Sequence, residues 1–198
     1  MSNEKSLSAQ RRWPFRMELS GGFLLLLSLT GFLCGTEALA AAALAAAVHE
    51  LGHLALILFQ QSRPRLLTLD ISGACLHCFG PEPGVKQELL RALSGPAAGT
   101  LYWLLLRNSG CELLISSAGM SLMLSLVNLL PAPGLDGGRV LNCLLLGILD
   151  VQPWERLSEL LGILSALLTL ALGILHSPQL FLYGLWLSLR LLRMRLRN

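Results

Sequence analysis

The sequence predicts a single-domain, all-α polytopic membrane protein with about six transmembrane helices, on three observations. Hydrophobic residues make up 54% of the 198 residues and charged residues only 14%, with a mean hydropathy of +0.62, a balance that ordinary soluble domains do not reach. The apolar residues gather into runs close to the length of a bilayer crossing, divided by short polar breaks. Lys and Arg sit beside those runs, so the net charge of +3 reads as membrane orientation and not as a nucleic-acid surface.

Taken in order, residues 1–16 form a basic, cytoplasmic lead-in carrying Lys5, Arg11, Arg12 and Arg16. A first span is expected over 17–35. Phe32-Leu33-Cys34-Gly35-Thr36-Glu37 makes a poor cleavage site, so this segment is read as retained rather than as a signal peptide. A second span covers 38–59 and is Ala-rich where it begins, which lets helices pack closely in lipid. Residues 60–91 then leave the membrane. Leu67, Leu69 and Ile71 alternate with Thr68, Asp70 and Ser72, and Ala74, Leu76 and Cys78 resume the pattern, which predicts a small cytoplasmic hairpin insertion. Its edge is either a plain connector or a place where an extended peptide adds as a strand. Cys75-Leu76-His77-Cys78 is a lone CxxC, and the five cysteines make no disulfide framework.

A third span over 92–107 contains the small-residue patch Ser94-Gly95-Pro96-Ala97-Ala98-Gly99, and a fourth covers 112–130. Residues 140–149 are apolar but too short to cross, and read as a helix at the cytoplasmic face. After a polar break over 150–159 come a fifth span (160–175), a turn (176–179) and a sixth span (180–192). Trp13, Trp103, Trp154 and Trp186 fall near the span ends, as an aromatic belt requires. Placing the N-terminus inside puts fourteen of the fifteen Lys and Arg residues on the cytoplasmic side and leaves Arg107 outside, so both termini are expected in the cytoplasm.

Two stretches carry the chemistry. His49-Glu50-Leu51-Gly52-His53 places two imidazoles four residues apart on one helix face, the spacing at which they share a metal, with Glu50 beside them. Ionisable groups within a spanning segment are costly and mark function. The second stretch runs from Asn128 through Pro131, Pro133, Gly134, Leu135 and Asp136 to Arg139. Its prolines and glycines must unwind the helix, and unwound backbone at membrane depth is tolerated only beside a cavity or protein. Asp136 is then a suitable third ligand, since catalytic zinc commonly takes three protein ligands and keeps one position open. On a layout with both termini inside, the two stretches face the same side and can meet.

His49-Glu50-Leu51-Gly52-His53, Asn128-x-x-Pro131-x-x-x-Leu135-Asp136-Gly137 and Ser94-Gly95-Pro96 together resemble the motifs of the site-2 proteases, intramembrane zinc metalloproteases that cleave membrane-embedded or membrane-associated regulatory proteins. The resemblance covers about residues 24–140. It is closest to the minimal bacterial branch that includes the sporulation protease releasing a sigma factor. It implies one zinc per chain on His49, His53 and Asp136, with Glu50 as general base and Asn128 donating a hydrogen bond to the oxyanion or the substrate backbone. It also implies regulated intramembrane proteolysis of a membrane-anchored or membrane-docked protein in a bacterial cell membrane, and leaves room for a regulatory membrane partner. Gly134 stands where the family often has Pro, and Gly99 where it often has Asn, which bears on the loop carrying Asp136 and on substrate alignment.

Two other readings are weighed against this one. A non-catalytic membrane scaffold or transporter with a structural metal site has no use for a base such as Glu50. A metalloprotease of another type would draw its third ligand from a later acid, Glu155 or Glu159, and both lie in a polar break. A rhomboid-like serine protease is excluded because the chain has no Gly-x-Ser-Gly.

Overall fold

Most of the chain is helical, with one small sheet. The computed structural model describes residues 16–70, 73–79, 82–145 and 151–176, and also 181, 184–185, 187–189 and 191–192. The order is β1 (Arg16–Leu19), α1 (Gly21–Cys34), α2 (Thr36–Phe59), β2 (Arg63–Asp70), β3 (Gly73–Phe79), α3 (Val85–Leu106), α4 (Glu112–Asn128), α5 (Asp136–Leu145) and α6 (Val151–His176). The described residues between 181 and 192 are helical as well. The basic lead-in with Trp13, the turn after His176, Trp186 and the arginines from Arg193 onward lie outside the described residues.

Length and composition decide which helices can cross a bilayer. At ~1.5 Å per residue a hydrocarbon core of ~30 Å needs about 20 residues. Among the described residues α2, with 24, is the one helix long and apolar enough; α4 and the Glu159–Leu175 stretch of α6 are apolar but shorter. Burial is inverted relative to a soluble bundle. Ser117, Ser121 and Ser125 on α4 are buried, while Leu105 is 71% and Ile174 73% exposed. The serines face α3, where Ser121 Oγ donates to Gly99 O at 3.3 Å and Tyr102 Oη lies 2.9 Å from Ser117 Oγ. Hydroxyls paired inside and leucines outside is the arrangement that hydrocarbon solvent favours.

The expected hairpin forms, with β2 and β3 antiparallel from Arg63↔Phe79 to Asp70↔Gly73 and an irregularity between Pro64 and Leu66. The expectation of an all-α fold is corrected by a third strand. Residues 17–19 were expected to begin the first span, but β1 pairs parallel with β2 from Arg16↔Leu66 to Leu19↔Leu69. Arg16-Met17-Glu18-Leu19 alternates charge with apolar side chain, a period of two that suits a sheet edge. Ser20 N extends the ladder to Leu69 O at 2.8 Å, and α1 begins after it.

The third helix starts seven residues before its apolar core. Gly84 N donates to Gln87 Oε1 at 3.2 Å and satisfies one end group, so the polar residues up to Arg91 form the first two turns of α3 rather than a connector. The break expected over 150–159 is likewise helical from Val151.

Between α4 and α5 the chain makes a tight, hydrogen-bonded loop. Pro131 and Pro133 offer no N–H and end the helix; Ala132 N then donates to Leu130 O at 2.8 Å and Leu135 N to Ala132 O at 3.1 Å. Gly134 sits at φ 79, a value open to glycine and closed to proline. Gly134 therefore belongs to a defined left-handed turn that proline could not make. That turn sends Leu135 into a core with Ala132, Ala166 and Leu187, and Pro133 rests against Gly162 of α6. Asp136 follows directly, as the first residue of α5.

Candidate metal centre

On α2 the four-residue spacing stacks His49 and His53 edge to face, with ring centroids 4.9 Å apart. Their Nε2 atoms are 3.2 Å apart. The buried start of α5 brings Asp136 Oδ2 to 3.1 Å from His49 Nε2 and 3.2 Å from His53 Nε2. A tetrahedral zinc ~2.0–2.1 Å from each donor requires about 3.3–3.4 Å between donors, so the three separations fit one shared ion. The donor set, two imidazoles and a carboxylate, also suits that ion.

The surroundings orient these donors. His53 Nδ1–H donates to the Arg91 carbonyl at 2.7 Å, which fixes the tautomer and leaves the Nε2 lone pair toward His49 and Asp136. Ser94 Oγ donates to the same carbonyl at 2.7 Å. Arg91 is itself buried, its Nε donating to Gln60 Oε1 at 2.6 Å and its Nη2 bonded to Ser62 Oγ, so the base of the hairpin is tied to α3 at the residue that holds His53.

Close approach of α3 needs glycine at two places. A Cβ on Gly52 would meet Ser94 O at 2.6 Å, and one on Gly95 would meet His53 Cε1 at 2.6 Å and His49 Nε2 at 2.8 Å. The space above the two imidazole nitrogens is therefore kept open by Gly95.

Glu50, next to His49, is half-buried and within electrostatic reach of both imidazoles, Asp136 and Arg139. Asp136 Oδ1, turned away from the imidazoles, lies 3.4 Å from Arg139 Nη1, and Arg139 is bound in turn by Glu88 of α3. Sequence reasoning missed that pair. Arg139 closes the second stretch and counts among the cytoplasmic charges without a role at the site, and Glu88 falls in the segment expected to leave the membrane; the one available signal is that Arg139 stands three residues after Asp136, on the same helix face.

The structure thus brings His49, His53 and Asp136 together with Glu50 at their side. Asn128 points elsewhere, its Nδ2 donating to Leu124 O at 3.0 Å, one turn back along α4. Glu159 is an exposed residue of α6, and the side chain of Glu155 lies outside the described residues. On the hairpin, partial burial pushes the Cys78 thiol up from its usual value against the pull of Arg91.

No protein-family model matches the chain, and no curated protein matches it. Among solved structures it is similar to the Site-2 Protease from Methanocaldococcus jannaschii, with a TM-score of 0.68 and 22% identity over 92% of this chain and 92% of that one. The fold is site-2-protease-like. A site-2-protease-like fold with a His-His-Asp group is what the two sequence motifs required of each other.

Proposed function

We propose that the chain is an intramembrane zinc endopeptidase of the site-2 protease type, cleaving a membrane-embedded or membrane-associated protein. The observation that carries this reading is the convergence of His49, His53 and Asp136 within 4.8 Å, with a half-buried carboxylate, Glu50, beside them. A structural zinc site closes itself with four protein ligands and needs no base, whereas three ligands plus a base is a catalytic set.

His49, His53 and Asp136 would hold the ion, with Nε2, Nε2 and Oδ2 the atoms that converge. Zinc there would supply Lewis acidity, polarising a scissile carbonyl and lowering the pKa of water. Glu50 takes the proton of the attacking water on its carboxylate and returns it to the leaving amine. The Arg91 carbonyl keeps His53 in the binding tautomer through the cycle. Asn128, once its amide leaves Leu124 O, offers a donor to the substrate carbonyl or backbone. An extended substrate segment adds to β3, which lies at the edge of the sheet, by backbone hydrogen bonds. The chain is a multi-pass protein of a bacterial cell membrane with both termini in the cytoplasm, and the exposed leucines of its helices meet lipid.

The test is a pair of variants purified in detergent and assayed for zinc content and for cleavage of a fluorescently labelled unfolded protein. Glu50→Gln keeps zinc and loses at least ~100-fold in rate, the low end of a general base's contribution. Asp136→Ala loses both. Wild type without zinc, or a Glu50→Gln variant as active as wild type, removes the reading.

A further inference from the structure

The carboxylate of Asp136 has two equivalent oxygens, and something must decide which one faces the ion. Oδ2 is aimed at the imidazoles, and Oδ1 at Arg139 Nη1, 3.4 Å away. Arg139 lies three residues further along α5 and so shares the face of Asp136. Two further donors are engaged across the helix gap, Nη2 with Glu88 Oε1 at 2.6 Å and Nε with the same oxygen at 2.9 Å. A planar guanidinium can serve two carboxylates at once; an ammonium is a point charge without that fork.

We propose that Arg139, moored by Glu88, is the positioning residue that fixes Asp136 with one oxygen toward the metal. The proposal rests on His49, His53 and Asp136 being the metal ligands. The charges explain why two residues are needed. A lone arginine beside Asp136 would compete with the ion for its carboxylate. Glu88 draws two of the guanidinium donors away and offsets its charge, so that Arg139 holds Oδ1 without capturing Oδ2. The contact is buried at one end and open at the other, with the Asp136 side chain 7% exposed and that of Arg139 41%.

The test is chelator competition for zinc in the full-length protein in detergent, comparing wild type, Arg139→Gln, Arg139→Lys, Glu88→Gln and Asp136→Ala. Loss of a partner behind a metal ligand typically weakens binding 10–100-fold, and that loss is expected for Arg139→Gln. Arg139→Lys recovers part of it. Glu88→Gln alone gives a smaller loss and adds nothing in the Arg139→Gln background, because Glu88 acts through Arg139. With cobalt(II) in place of zinc, the visible bands of wild type change in Arg139→Gln and move back toward wild type in Arg139→Lys, reporting ligand geometry directly. Zinc held by Arg139→Gln as tightly as by wild type, while Asp136→Ala loses it, overturns this proposal and spares the ligand assignment. Zinc held by Asp136→Ala overturns both. Should Arg139→Gln fail to fold, unchanged zinc affinity in Glu88→Gln is the overturning result.

Discussion

His53 Nδ1 and the carbonyl of Arg91 meet at 2.7 Å, and that bond joins the helix carrying both histidines to the first turns of its neighbour. Glu88 lies one turn before Arg91 on α3 and reaches Asp136 through Arg139. Two of the three candidate ligands are therefore braced by adjacent turns of one polar helix start. Backbone carbonyls cannot be mutated, but what they position can be.

Substituting Gly95 with Ala should empty the site without unfolding the helix. The added methyl would collide with His53 and His49 at their Nε2 side, although alanine favours a helix by about 1 kcal/mol over glycine. Gly119→Ala, where nothing lies within 4 Å, is the control. Zinc content and circular dichroism read the two effects separately; a Gly95→Ala protein with a full zinc complement contradicts the geometry.

Gly134 should resist replacement by proline. At φ 79, alanine costs roughly 1–2 kcal/mol, and proline cannot adopt the angle at all. Gly134→Pro should lower both the thermal midpoint and zinc retention, with Gly134→Ala between it and wild type. A Gly134→Pro protein as stable as wild type would mean that the turn is not needed to seat Leu135 and Asp136.

Acid should release the metal. Protons compete for the imidazole nitrogens, so binding is complete above the imidazole range and is lost as pH falls through it. With two histidines the apparent zinc affinity should fall by up to about 100-fold per pH unit at the acid end, measured by chelator competition across pH. A flat profile between pH 7 and about pH 5 would exclude histidine ligation.

Asn128→Ala should separate substrate contact from bracing. As a donor to substrate, Asn128 is worth about 100-fold or more in kcat/KM, with zinc content unchanged. If only the bond to Leu124 O matters, stability falls slightly and kcat/KM holds.

The site was more legible than the fold around it. Two histidines at helical spacing and an aspartate after an unwound turn are local patterns, and each survives in the structure unchanged. The hairpin was visible through its alternation. β1 was not, because four residues are too few to show a period and its partner lies some fifty residues away, with two helices between. The early start of α3 was hidden for another reason. Lys86, Gln87, Glu88 and Arg91 look like a connector by hydropathy; beside the local bond of Gly84 N to Gln87, the contacts of Gln87, Glu88 and Arg91 with Gln60, Ser62 and Arg139 come only with the tertiary fold. Glu88 and Arg139 are 51 residues apart, a pairing that no short motif encodes.

The parallel pairing of β1 with β2 has a bearing on how the molecule is built. A strand that precedes α1 can meet a strand that follows α2 only after both helices have been made and have doubled back. The sheet is therefore a clasp whose last strands are made only after the first pair of helices. Asp136 is made later still, so the two histidines of α2 precede their third partner in synthesis by more than eighty residues.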